Sequence, residues 1–172
     1  HGAIMTPIFQ TSTYVQPAPG QPLTHDYSRG GNPTRDALEG SLAALEGARH
    51  AISFGSGLAA VQAVIQLAKP GDHVVVCDDV YGGTRRIFDK IKSVNQNVEV
   101  TYADLSKDNN WQGHIKENTK MIWLETPSNP LLKLIDIEKI RNNINNKEII
   151  IVCDNTFASP YNQQPLNQGA DV

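Results

Sequence analysis

The chain has 172 residues, 40% apolar and 19% charged, with 15 Lys+Arg against 18 Asp+Glu and a formal net charge of -3. That length holds one sizeable core. No basic run points to nucleic acid, no apolar stretch approaches the ~18 residues needed to span a bilayer, and no signal-peptide pattern opens the chain. His1 is an unusual first residue, so the natural start is expected upstream. Cys77 and Cys153 fit no metal spacing and make no disulfide scaffold. They read as buried thiols of a cytoplasmic protein.

Residues 1–33 are punctuated by Pro7, Pro17, Pro19, Pro22 and Pro33 and loosened by Gly20, Gly30 and Gly31, which suits an extended arm rather than a packed unit. Inside it stands Tyr27-Ser28-Arg29, either solvated surface or an anion hook, since a guanidinium fork matches phosphate. A helix is expected to start at Asn32-Pro33-Thr34 and end at Gly47. Ala37, Leu38, Leu42 and Leu45 mark its core-facing stripe. Ala51–Phe54 reads as a short strand entering Gly55-Ser56-Gly57, with a helix from Leu58 to Ala68. Such a turn either exposes amides that bind an anion at the helix N-terminus, or is a tight turn needing glycine for φ.

Lys69-Pro70-Gly71-Asp72 is a turn, and His73–Cys77 a buried strand leading to Asp78-Asp79 and Tyr81-Gly82-Gly83-Thr84. Tyr81 either stacks on a ring ligand or half-buries in its loop. A helix over Thr84–Ser93 follows, then a strand over Val98–Tyr102 and a short helix around Lys107–Ile115. Lys120–Glu125 is the next strand, ending in Thr126-Pro127-Ser128-Asn129-Pro130. Its prolines stiffen a mount for a polar contact such as Asn129. A helix over Ile135–Ile144 precedes Glu148–Phe157, an apolar run ending in Asp154. Another strand is expected to begin at Ala170. Alternating strands and helices are the signature of a mainly parallel sheet flanked by helices, so the fold class is α/β. In such sheets ligands sit outside the strands' carboxyl ends. Asp154 stands there, either as a ligand contact or as a cap of the following turn.

The stretches TPIFQTSTY, YSRGGNPTRDALE, SGLAA, KPGDHVV, DDVYGGT, ETPSNP and VCDNTFASPY, in this order, resemble the Cys/Met-metabolism family of pyridoxal-phosphate enzymes. The resemblance implies the aspartate-aminotransferase-like fold, pyridoxal 5'-phosphate as cofactor and no metal. It implies Asp154 on the pyridine nitrogen, Tyr81 stacked on the ring and active in proton transfer, Asn129 at the ring hydroxyl and Thr156 near the ring and phosphate end. Gly57 and the Leu58 N–H would hold the phosphate. Tyr27 and Arg29 would bind that phosphate in a neighbouring subunit, so residues 1–33 are expected to be an arm crossing an interface of a homotetramer. Residues 34–172 would then be part of the cofactor domain.

The family's Schiff-base lysine follows Gly-Ala-Asp in a Ser-x-Thr-Lys segment, whereas here Gly169-Ala170-Asp171 is followed only by Val172. The chain therefore reads as an interior fragment lacking that lysine and the C-terminal domain. The expected parent activity is that of a trans-sulfuration lyase acting on a sulfur-containing amino acid, most like cystathionine γ-lyase. Cystathionine γ-synthase, cystathionine β-lyase and O-acetylhomoserine sulfhydrylase are the alternatives within the family. Gly83 counts against methionine γ-lyase, which typically carries Cys there. A non-catalytic nucleotide- or cofactor-binding domain is the alternative of another class.

Overall fold

The computed structural model describes residues 3–107 and 111–172. They fall into two compact units, His1–Ser53 and Phe54–Val172.

In the first unit the arm doubles back on itself. Thr13 and Tyr27 form an antiparallel bridge, flanked by Tyr14 N–H to Asp26 O at 3.1 Å and Ser28 N–H to Ser12 O at 2.9 Å. Helix α1 spans Pro33–Glu46, with Asn32 accepting from Thr34 N–H as its cap. Gly47 closes it at φ 66°, the left-handed conformation that glycine adopts without strain. The arm is sewn to the start of α1 by Phe9 N–H to Thr34 Oγ1 at 2.9 Å and Thr34 Oγ1 to Pro7 O at 2.9 Å. The expected core stripe does not form within this unit. Leu38, Leu42 and Leu45 are exposed, because no described element of the unit covers that face, and Ala43 is the buried position of α1. The strand expected at Ala51–Phe54 is also missing. The Ser53 N–H and hydroxyl both bond to Glu39 Oε1, at 2.8 Å each, so a side chain takes the group a ladder would have used.

The second unit holds a four-stranded, wholly parallel sheet: β1 His73–Cys77, β2 Glu99–Ala103, β3 Thr119–Glu125 and β4 Ile150–Asp154, in the spatial order β2-β1-β3-β4. Val74, Val75, Val76, Leu124 and Ile151 are completely buried. Consecutive buried positions mean that both faces of the sheet are covered, which is why these strands read as unbroken apolar runs. Helix α2, Gly57–Ile65, and helix α5, Ile137–Asn143, begin at Ser56 and Asp136, whose side chains accept backbone N–H groups in their first turns. α2 and α5 are both shorter than the sequence pattern suggested.

The helix expected over Thr84–Ser93 is broken into three. Helix α3 is Gly82–Ile87, a π-helical turn is Phe88–Lys92, and helix α4 is Ser93–Gln96. The π turn carries Lys92 inward, 1% exposed, where its ammonium bonds to Ala68 O, Gln66 Oε1 and Gln96 Oε1. Burial without a paired carboxylate lowers the Lys92 pKa. The short helix expected near Lys107–Ile115 is a 3-10 turn at Trp111–His114, and residues 108–110 lie outside those described. Helix α6, Ser159–Asn162, and a 3-10 turn, Pro165–Gln168, follow β4. No strand is assigned from Ala170, but Asp171 and Val172 donate to Ile151 O, at 2.8 and 3.2 Å, so this segment runs along β4. Among the described residues no helix is long and apolar enough to cross a membrane.

Ile151 makes the sheet's dependence on packing measurable. Ile151→Ala in the full-length protein is expected to cost about 2–5 kcal/mol by urea denaturation, while Val94→Ala, at an exposed position, stays within about 0.5 kcal/mol.

Candidate active site at the strand ends

The strand order reverses between β1 and β3, so their carboxyl ends diverge into separate loops and open a crevice. A hydrogen bond to the end of β3 crosses it. Tyr81 N–H, in the loop after β1, donates to Glu125 Oε2, the last residue of β3, at 2.8 Å. Tyr81 is the N-terminal cap residue of α3, at φ -46° and ψ 132°, and makes no side-chain cap. Its N–H therefore falls among the unpaired donors of a helix start, and a carboxylate 44 positions away satisfies it.

The Tyr81 ring, about half exposed, lies against Gly83. A Cβ on Gly83 would stand 2.5 Å from Tyr81 Cε1 and 2.9 Å from Leu58 Cδ1. Glycine is required here by that close approach. The same contacts place the Tyr81 ring beside Leu58, in the first turn of α2.

At that turn Ser56 Oγ accepts the Ala59 N–H at 3.1 Å, while Ser56 O accepts from Ala59 and Ala60. Those bonds leave the Gly57 and Leu58 amides for a ligand. Gly55 and Gly57 are not at positive φ, and a Cβ on either would meet nothing within 4 Å. The tight-turn explanation of these glycines therefore fails, and open space above exposed amides remains.

Asp154 ends β4, directly in register with Glu125. Its Oδ1 accepts from Thr156 N–H at 3.1 Å and Thr156 Oγ1 at 2.5 Å. This partly bears out the capping alternative: Asp154 closes an Asx-type turn, although α6 begins further on, at Ser159, without a side-chain cap. Oδ2 accepts no hydrogen bond from the described residues, so a carboxylate oxygen remains for a ligand. Asn129 is half-buried in the loop after β3, between cis peptide bonds Thr126-Pro127 and Asn129-Pro130. Asp79 ties this loop to the end of β1 by accepting from Ser128 Oγ at 2.5 Å and Leu131 N–H at 2.9 Å. Asp78 serves the same junction through Lys133, at 2.7 Å. Both acids after β1 are thus used in holding loops.

Leu58, Tyr81, Asn129, Asp154 and Thr156 therefore lie at one end of the sheet with Gly57. Tyr27 and Arg29 belong to the other unit. There the Arg29 guanidinium sits 5.0 Å above the Tyr27 ring, and both residues are exposed. Arg35 donates to the Ser28 and Arg29 carbonyls, at 3.1 and 3.3 Å, which fixes the backbone of the hook. Among the described residues no group of three or more His, Cys, Asp or Glu is arranged to hold a metal ion.

Glu125 is the residue that sequence reasoning passed over, because a Glu at a strand end looks like ordinary surface. It is 5% exposed. Burial pushes its pKa up to about 7, and Asp154 and Asp79 push the same way; the Tyr81 and Asn129 N–H groups partly offset this. Glu125 also faces Cys77 at the end of β1, whose thiol burial holds well above its usual pKa.

Folding raises the Glu125 pKa from 4.5 to about 7. Its contribution to stability is therefore full below pH 4.5 and is lost as pH rises through 7. Glu125→Gln in the full-length protein is expected to be more stable than wild type by about 1–3 kcal/mol at pH 8, with the difference vanishing by pH 5, in paired thermal melts. Equal melts at both pH values would count against a buried ionisable Glu125.

Comparison with known proteins gives a consistent result. The family model for Cys/Met metabolism PLP-dependent enzymes matches residues 1–172. A Caenorhabditis elegans protein provisionally named cystathionine gamma-lyase 2 is 53% identical over 171 residues, 98% of this chain and 44% of its own length. A cystathionine beta-lyase of Coxiella burnetii is 45% identical over 99% of this chain and 44% of its own. The crystal structure of metB from Corynebacterium glutamicum superposes with a TM-score of 0.94 at 46% identity, covering 98% of this chain and 44% of that one. This chain thus spans under half the length of these relatives.

Proposed function

This chain belongs to the Cys/Met-metabolism family of PLP-dependent enzymes, and we propose that it supplies most of the cofactor domain of a cystathionine γ-lyase. The observation that carries this reading is the continuous set of contacts from Leu58 through Gly83 and Tyr81 to Glu125 and, in register, Asp154. It aligns an anion site, an aromatic ring and a carboxylate along one sheet edge.

The residues present fit pyridoxal phosphate. The open Gly57–Leu58 amides suit its phosphate, the half-exposed Tyr81 ring suits its pyridine face, and Asp154 Oδ2 suits its ring nitrogen. When bound, the cofactor supplies an electron sink for a substrate that loses its α-proton. Asp154 would keep a proton on the ring nitrogen, with Thr156 holding Asp154 in place. Asn129 would meet the ring hydroxyl. Tyr81 would cover the ring and could relay a proton at its phenol oxygen. Tyr27 and Arg29 bind the phosphate of a neighbouring subunit, and the exposed position of the hook suits that role. The functional assembly is a homotetramer with shared sites.

The substrate is cystathionine, cleaved at Cγ with the consumption of one water to give cysteine, 2-oxobutanoate and ammonia. Gly82-Gly83 supports a γ-lyase or γ-synthase over a methionine γ-lyase, since a Cys Cβ at position 83 would displace Tyr81. The site is equally compatible with β-cleavage, as in the relative named cystathionine beta-lyase. A buried thiol at Cys77 suits a reducing compartment, and the cytoplasm is the proposed location.

Two experiments on the full-length protein test this. Incubation with cystathionine and cofactor is expected to yield 2-oxobutanoate; pyruvate and homocysteine instead would move the enzyme to β-lyase, and no visible absorbance from bound cofactor would end the reading. Asp154→Asn is expected to retain cofactor while turnover falls by roughly 100-fold or more, the scale on which one electrostatic partner of a transition state acts. In the second experiment, Arg29→Ala subunits mixed with Asp154→Asn subunits are expected to regain part of the activity that each lacks alone. Hybrids as inactive as their parents would place Arg29 at its own subunit's site.

A further inference from the structure

The cofactor contacts assigned above leave out the group that joins them. Glu125 is buried at the end of β3, yet it contributes nothing to the apolar core and pairs with no cation among the described residues. Its Oε2 takes the Tyr81 N–H at 2.8 Å, and the Asn129 N–H lies near enough to the same carboxyl to lower its pKa. Those are the backbones of the two residues flanking the ring of the proposed cofactor. In register beside it stands Asp154, the third. One side chain therefore fixes one ligand contact and neighbours two others.

Tyr81 needs such a restraint. Its loop precedes α3, a helix of six residues with no cap of its own. On its far side the ring is stopped by Gly83, where no Cβ would fit. The backbone is thus held by Glu125 and the ring by Gly83 and Leu58, which leaves a single position for the aromatic face. A shorter or apolar side chain at 125 would leave the Tyr81 N–H, in its part-buried place, without its acceptor.

We propose that Glu125 is a positioning residue for the cofactor site, its carboxyl oxygen setting Tyr81 through its backbone amide. The proposal rests on the reading of Tyr81 as a ring contact. It asks of residue 125 an acceptor oxygen at the right depth, which glutamine also supplies, and assigns it no contact with substrate.

The test uses the full-length protein, with pyridoxal phosphate titrated into cofactor-free protein and hydrogen exchange of residues 78–88 followed by mass spectrometry in the cofactor-free state. Glu125→Ala and the size-retaining Glu125→Met are expected to raise the cofactor Kd about tenfold and to speed exchange of that segment. Glu125→Gln is expected to stay within about threefold of wild type in cofactor affinity and to exchange no faster than wild type. Wild-type affinity and exchange in the Ala and Met variants overturns the proposal, as does a Gln variant as impaired as they are. Tyr81→Ala separates the two claims. Wild-type cofactor affinity in that variant removes Tyr81 as a ring contact, and the proposal with it; a weakened Tyr81→Ala beside unaffected Glu125 variants overturns the proposal alone.

Discussion

The bond from Tyr81 N–H to Glu125 Oε2 is the constraint on which the strand-end arrangement depends. Parallel strands with a reversal of order leave their carboxyl ends unsupported by one another, because the loops after β1 and β3 turn apart. Here a buried carboxylate spans the gap, Asp79 crosses it through Ser128 and Leu131, and Asp78 crosses it through Lys133. Each crossing joins a side-chain carboxylate to donors on the other side, so loops of irregular shape are held without an apolar core of their own. The cost is a carboxyl kept out of water, which shows in the raised pKa of Glu125.

The same geometry explains why two kinds of glycine stand close together in this chain with different duties. Gly83 is demanded by the protein, since the Tyr81 ring and Leu58 already occupy the room for a side chain. Among the described residues nothing demands Gly57, because neither its φ nor its surroundings exclude a Cβ. A glycine free of such constraint, whose own amide and that of Leu58 are open at a helix start, suits the proposed phosphate contact.

Much of this was legible in the sequence. His73–Cys77 and the run before Asp154 showed their double burial as unbroken apolar stretches, and Asn32 and Gly47 marked the ends of α1 by their capping chemistry. What the sequence hid was of two kinds. Leu38, Leu42 and Leu45 have helical spacing, but spacing says nothing about which element covers a face, and none in their own unit does. Ala51–Phe54 has strand-like composition, yet Glu39 takes the Ser53 N–H, a tertiary choice that no local pattern records. Glu125 escaped notice for a related reason: its role is set by burial and by a partner 44 positions away.

The central claim is that these strand ends form a pyridoxal-phosphate site, and a crystal structure of the full-length protein with the cofactor bound tests it most directly. The account predicts the phosphate on the Gly57 and Leu58 amides, the Tyr81 ring over the pyridine face, and Asp154 Oδ2 within about 3.2 Å of the ring nitrogen. A cofactor whose phosphate lies away from the start of α2, or whose ring nitrogen faces a group other than Asp154, would contradict it.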